Sequence, residues 1–141
     1  YGINARNVAY FISGESESQY YDKLKDQNTH SAAAWINANT TPDSVVLLFN
    51  EPRVYFLDRS YIISSPHQNY IDYWSMNSSE ELRARLKELR ISDILINDEL
   101  IDAYSKAIDG SKATSLMHNL TEDKAKATLT YQKNKIRVYK V

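Results

Sequence analysis

The chain has 141 residues, which suits one domain built around one hydrophobic core. A hydrophobic share of 43% with 25% charged residues, and only three glycines and three prolines, excludes disordered and collagen-like chains. The formal charge of −1 gives no broad basic surface, so nucleic acid drops out as a partner, because its binding rests on many Lys and Arg contacts to phosphate.

Cysteine is absent, which removes disulfides, zinc thiolates and a cysteine nucleophile. No apolar run approaches the ~18 residues that a membrane crossing needs. The chain opens at Tyr1 with no initiator Met and no signal-peptide pattern. It is therefore expected to be a single soluble domain over 1–141, cut from a larger protein.

Helical and strand patterns alternate along the chain, which predicts an α/β fold. After a break at Gly14, Ser16 and Gln19 have capping-box spacing and open a long helix. Its apolar stripe is read as Tyr20, Leu24, Ser31, Trp35 and Ala38. Pro42 ends it, because proline lacks an amide donor and disfavours helix in Thr41. Val45 to Phe49 is apolar without alternation, the pattern of a central strand covered on both faces. A second strand is expected at Tyr61 to Ser64, closed by Pro66, and Tyr70, Tyr73 and Trp74 suggest a turn of helix or a packed loop.

The segment "NSSEELRARLKELRISDILIN" reads as a helix feeding a strand. Ser78 and Glu81 have capping-box spacing, Leu82, Leu86 and Leu89 form one face, and Ile94 to Ile96 form the buried strand. Glu81 and Arg85 are spaced for an i,i+4 pair on the exposed side. A further helix is expected from about Glu99 to Ala107, stopped by Gly110 and followed by an irregular stretch to Asp123. The closing "ATLTYQKNKIRVYKV" reads as an edge hairpin turning at Lys133 and Asn134. The whole predicts a small three-layer sandwich with a mainly parallel central sheet and a C-terminal β-hairpin at one edge.

For chemistry, His30, His67 and His118 lack metal-site spacing, so no metal is expected. No nucleophile elbow, phosphate loop or dinucleotide fingerprint occurs, and no cofactor is expected. The densest segment is "FNEPRVYFLDRSYI", which begins where a buried strand ends, the place where open α/β sheets usually bind ligands. Its candidate ligand- or acceptor-facing residues are Asn50, Glu51, Arg53, Tyr55, Asp58 and Arg59. The arginines offer planar forks for carboxylate or phosphate, and the tyrosine offers a stacking face. The competing reading is a lock, in which Asp58 pairs with Arg53 or Arg59 while Val54, Phe56 and Leu57 fill the core. Glu51 and Asp58 as a general acid/base pair is the weakest reading, and a hydrolase would need a pocket joining them to a histidine.

The order of "FISGESESQYYDKL", "AAAWINANTTPDSVVLLFNEPRVYFLDRSYI", "SSEELRARLKELRISDILIN" and "NKIRVYKV" resembles the soluble C-terminal region of multi-spanning GT-C type membrane glycosyltransferases, related to protein mannosyltransferases and aminoarabinose transferases. The resemblance implies a periplasmic, extracytoplasmic domain tethered to the membrane domain of the same polypeptide. It also implies a parent enzyme that uses a lipid-linked sugar donor and a glycan or other acceptor. In that family the catalytic acid and the donor site lie in the membrane body, so no catalytic residue transfers to this chain, and the expected role is noncatalytic, scaffolding or covering that site. The family usually has glycine where Arg90 stands, so the left-handed helix cap is expected to be replaced here by another turn. The alternative is a free-standing sugar- or anion-binding module using the loop after the first strand.

Overall fold

The computed structural model describes residues 27–51, 56–65, 68–98 and 110–141. The expected helix start at Ser16, the expected helix at Glu99 to Ala107, and Val54 and Pro66 lie outside the described residues.

Helix α1 spans Gln27–Asn39 and strand β1 spans Val45–Phe49. Strands β2, Ser60–Ser65, and β3, Gln68–Asn69, lead to a 3-10 turn at Tyr73–Ser75. Helix α2, Ser79–Glu88, feeds β4, Asp93–Asn97. Helix α3, Gly110–Glu122, precedes the hairpin of β5, Thr128–Lys133, and β6, Ile136–Lys140. Among the described residues these strands form one sheet in the order β3-β2-β1-β4-β6-β5. The centre is parallel, with β1 paired to both β2 and β4, and the remaining pairings are antiparallel.

The sheet is covered on both faces, so the fold is the α/β sandwich expected from the sequence. Because side chains alternate along a strand, β1 feeds two cores. Val46 and Leu48 join Ala32 and Ile36 of α1, with Leu95, Ile136 and Val138. Leu47 and Phe49 join Leu82 and Leu86 of α2, Leu116, Met117 and Leu120 of α3, and Ile94 and Ile96 of β4. Each fully buried aliphatic side chain in such a core contributes roughly 1.5–3 kcal/mol.

Four local expectations change. In α1 the buried face is Thr29, Ala32, Ala33 and Ile36, whereas Ala38 is exposed and Trp35 only half-buried against Tyr131. Gly110 heads a helix rather than stopping one: Ala113, Leu116, Met117 and Leu120 recur at helical spacing and pack inward, so 110–122 is ordered helix. The hairpin turn is Asn134 and Lys135, one residue later than expected, with Asn134 at φ 54° and Lys133 opposite Ile136. Glu81 does not pair with Arg85; it caps the helix, accepting from the Asn77 amide at 3.0 Å, while Arg85 pairs with Glu88 at 2.9 Å.

The end of α2 corrects the expected replacement of the left-handed cap. Arg90 itself takes φ 59°. Its amide donates to the Lys87 carbonyl at 3.0 Å and the Ile91 amide donates to Leu86 at 2.9 Å, which is the paired bonding of a Schellman motif. Buried Ile91 and Leu86 share one core, the hydrophobic contact that accompanies this cap. The helix therefore turns into β4 with glycine-like geometry carried by an arginine.

Candidate functional site

Strands β1 and β4 are parallel neighbours whose chains leave in opposite directions, toward β2 on one side and toward β6 and β5 on the other. Their carboxyl ends thus form a topological switch point, where ligands bind in open α/β sheets. Both strands end in Asn followed by an acid: Asn50 and Glu51 after β1, Asn97 and Asp98 at the end of β4.

Glu51 lies at this point but does not project from it. It is 0% exposed, and its Oε2 accepts hydrogen bonds from Asn97 Nδ2 at 2.7 Å and from Thr29 Oγ1 at 2.9 Å. One carboxyl group therefore holds β1, β4 and α1 together. Without solvent access it has no route to a proton on an outside substrate. Asn50 is also buried, at 4% exposure, with φ 61° and its amide donating to the Ser64 carbonyl at 3.0 Å. Its side-chain Nδ2 is buried and has no hydrogen-bond acceptor.

Asp98 is engaged as well. The Arg137 guanidinium donates from Nη2 to Asp98 Oδ1 at 2.9 Å and from Nη1 to Tyr139 Oη at 2.6 Å, while its Nε lies 2.8 Å from Oδ2 as an ion-pair contact without hydrogen-bond alignment. Burial opposes the arginine's charge, but the hydrogen bond and the charge of Asp98 outweigh it and hold the guanidinium above its ordinary value.

The remaining candidates sit elsewhere. Because β1 and β2 are parallel, with Val45 opposite Ser60, Asp58 and Arg59 lie at the amino end of the sheet, a strand length from Glu51. Five residues of strand span about 16 Å, which rules out Glu51 and Asp58 as an acid/base pair. Arg59 is a lock on α1: Nη2 donates to the carbonyls of Asn37 at 2.7 Å and Thr40 at 3.0 Å, Nε to Thr40 Oγ1 at 3.0 Å, and Nη1 to the Asp58 carbonyl at 2.6 Å. It satisfies carbonyls that the helix end leaves open. The open cleft of about 530 Å³ beside it, lined among the described residues by Pro42, Leu57, Asp58, Arg59, Ser60 and Tyr61, therefore has the Arg59 cation turned to the backbone.

Asp58 forms no ion pair with Arg59; its amide donates to Asn37 Oδ1 at 2.7 Å, and Asn37 Nδ2 donates to the Phe56 carbonyl at 2.6 Å. Phe56 meets His30 edge-to-face at 4.4 Å, and Leu57 packs on the α1-side core. Arg53, Tyr55 and His67 lie outside the described residues. Glu51 and Arg59 thus fasten the two ends of α1, at Thr29 and at Thr40. Among the described residues no cluster of His, Asp and Glu has the geometry of a metal site.

Sequence reasoning missed Thr29, Asn97, Asp98 and Arg137. A signal for two of them was present, since "LLFNE" and "ILIND" end alike and parallel neighbours bring like ends together. The carboxyl end also carries aromatics at the surface. Tyr73 is buried, with its hydroxyl 2.7 Å from Ser64 Oγ and its ring edge-to-face with Phe49 at 6.2 Å, whereas Tyr70 and Trp74 are 74% and 55% exposed. No helix among the described residues is long and apolar enough to cross a membrane. Comparisons with protein-family models, curated proteins and solved structures gave no match.

Proposed function

We propose that this chain is a noncatalytic extracytoplasmic domain of a GT-C type membrane glycosyltransferase, scaffolding or covering the membrane site that uses a lipid-linked sugar donor. The observation that carries this reading is the inward engagement of Glu51. The acid in the most site-like segment of the chain joins three elements of the fold and is shut off from solvent. Arg59, the described arginine of the same segment, is likewise bonded to the end of α1. Further support comes from the helix-to-strand corner, where the family's usual glycine and the left-handed backbone at Arg90 answer the same geometric need.

The reading frame upstream of Tyr1 is expected to encode a series of apolar segments of ~20 residues each. Its absence overturns the proposal. In membranes holding the complete polypeptide, transfer from a polyprenyl-phosphate-linked sugar should require both parts, and the 141-residue domain alone should transfer nothing. Transfer by the isolated domain would contradict the noncatalytic role.

A further inference from the structure

Two exposed aromatics and a lysine stand out at the carboxyl end of the sheet. Trp74 is 55% exposed and Tyr70, four positions before it on the same loop, is 74% exposed. Lys112, in the first turn of α3, stands beside Trp74: its Nζ donates to the Trp74 carbonyl at 2.8 Å and lies 5.7 Å from the centre of the indole ring. The lysine forms no ion pair with any carboxylate among the described residues.

The loop is firmly based, because Tyr73 between the two aromatics is fully buried and hydrogen-bonded to Ser64, and Met76 after them is buried. Ser75 Oγ further ties the turn to the Asp72 carbonyl at 3.0 Å. Lys112 fixes the Trp74 backbone and sits against its ring. The indole is thus an anchored surface aromatic at the end of the sheet where α/β folds take ligands. Anchored aromatics lose little conformational freedom on binding, which favours a ligand with a flat apolar face. An ammonium with no carboxylate counter-ion among the described residues favours a negative group on that ligand.

We propose that Trp74, Tyr70 and Lys112 form a binding site for an acidic saccharide, with the C–H face of a pyranose ring against the indole and its carboxylate or phosphate on the Lys112 ammonium. The chemistry selects against two alternatives. A neutral apolar partner leaves the ammonium unanswered, and a nucleic acid meets a chain of net charge −1. The inference extends the accessory role by giving the domain an acceptor-contacting face, but the binding itself stands on this geometry alone. A failure at this site therefore leaves the proposed membrane parentage to its own test.

The experiment uses the 141-residue chain, an oligosaccharide ending in a uronic acid, and its neutral counterpart, followed by the two indole N–H resonances. Trp35, half-buried and tilted on Tyr131, is the internal control. The Trp74 resonance should shift saturably with the acidic probe, with a Kd on the order of 1 mM, and the Trp35 resonance should stay. Trp74→Ala should abolish binding detected from the sugar's own protons, Tyr70→Ala should weaken it several-fold, and Lys112→Gln should reduce the preference for the acidic probe about tenfold. Unchanged melting temperatures for Tyr70→Ala and Lys112→Gln keep these readouts separate from folding. The proposal is overturned by no saturable shift up to on the order of 10 mM probe. It is equally overturned by an acidic preference that survives Lys112→Gln, or by a Trp74 response only to anionic lipid vesicles, which would make the patch a membrane contact.

Discussion

Asn97 Nδ2 donates to Glu51 Oε2 at 2.7 Å, a hydrogen bond buried between the carboxyl ends of the two central parallel strands. Thr29 Oγ1 donates to the same oxygen from α1, so the switch point is closed from within. Replacing Glu51 by Ala leaves two buried donors without this acceptor and should cost about 3 kcal/mol in urea unfolding, whereas Glu51→Gln, which keeps a carbonyl oxygen, should cost less. Asn97→Ala combined with Glu51→Ala should be less damaging than the sum of the two, by about 1 kcal/mol or more. Simple additivity would remove the assigned bond from the account of the fold.

Arg59 holds the other end of α1 through two main-chain carbonyls and the Thr40 hydroxyl. Arg59→Ala should destabilise the domain by about 2 kcal/mol, because the helix end loses charge-assisted donors. Arg59→Lys should recover less than half of that, since an ammonium cannot reproduce the planar fork. If lysine restores full stability, charge near the helix end matters and the fork does not.

These two residues show what could be read from the sequence. The unbroken apolar runs at Val45 to Phe49 and Ile94 to Ile96 announced central strands, because only burial on both faces tolerates such runs. The density of "FNEPRVYFLDRSYI" suggested one site, but a parallel return to β2 sends Glu51 and Arg59 to opposite ends of the sheet. That separation is a property of strand direction, which no local pattern encodes. Helix α3 escaped notice because its apolar positions are diluted by Ser, Thr and Asn, and Gly110 resembled a stop signal. Trp74 was legible as an aromatic, whereas its exposure depends on Tyr73 taking the inward position.

Lys126 links the two helices of the α2 and α3 face through a surface cluster. It donates to Glu80, to Ser79 Oγ at 2.9 Å, and lies 3.4 Å from Asp123 Oδ2. The hydrogen bond from Lys126 holds the Glu80 carboxyl below its ordinary value of 4.5, and the hydrogen bond to Glu80 raises Lys126 above 10.5. The Glu80 contribution to stability is therefore present above pH 4.5 and lost as pH falls through its lowered folded value. The Lys126 contribution is full below 10.5 and lost as pH rises through its raised folded value. The melting temperature of Glu80→Gln should fall below that of the parent at neutral pH, and the gap should close well below pH 4.5. Added salt should narrow the neutral-pH gap, because the cluster is open to solvent. A gap that persists at acid pH would assign the effect to packing.

Asn50 and Arg90 both carry left-handed backbone, at φ 61° and φ 59°, yet glycine is expected to stabilise at one and not at the other. At Arg90 the side chain is exposed and the Schellman bonds are made by the backbone, so Arg90→Gly should remove side-chain strain and raise stability by about 1 kcal/mol. Arg90→Val should lower it, because a β-branched residue strongly resists positive φ. Asn50 tolerates this conformation better than arginine, so relief of backbone strain there is smaller. Its buried Nδ2 lacks an acceptor, and Asn50→Gly also removes that group, a gain offset by the hole left where a side chain 4% exposed is deleted. The net change at Asn50 should therefore be close to zero, while Asn50→Val should be more damaging than Arg90→Val because the position is 4% exposed and cannot relax into solvent. Urea unfolding of the four variants decides it: equal gains from glycine at both positions would mean that backbone strain alone governs them, and that filling of the carboxyl end by Asn50 contributes nothing.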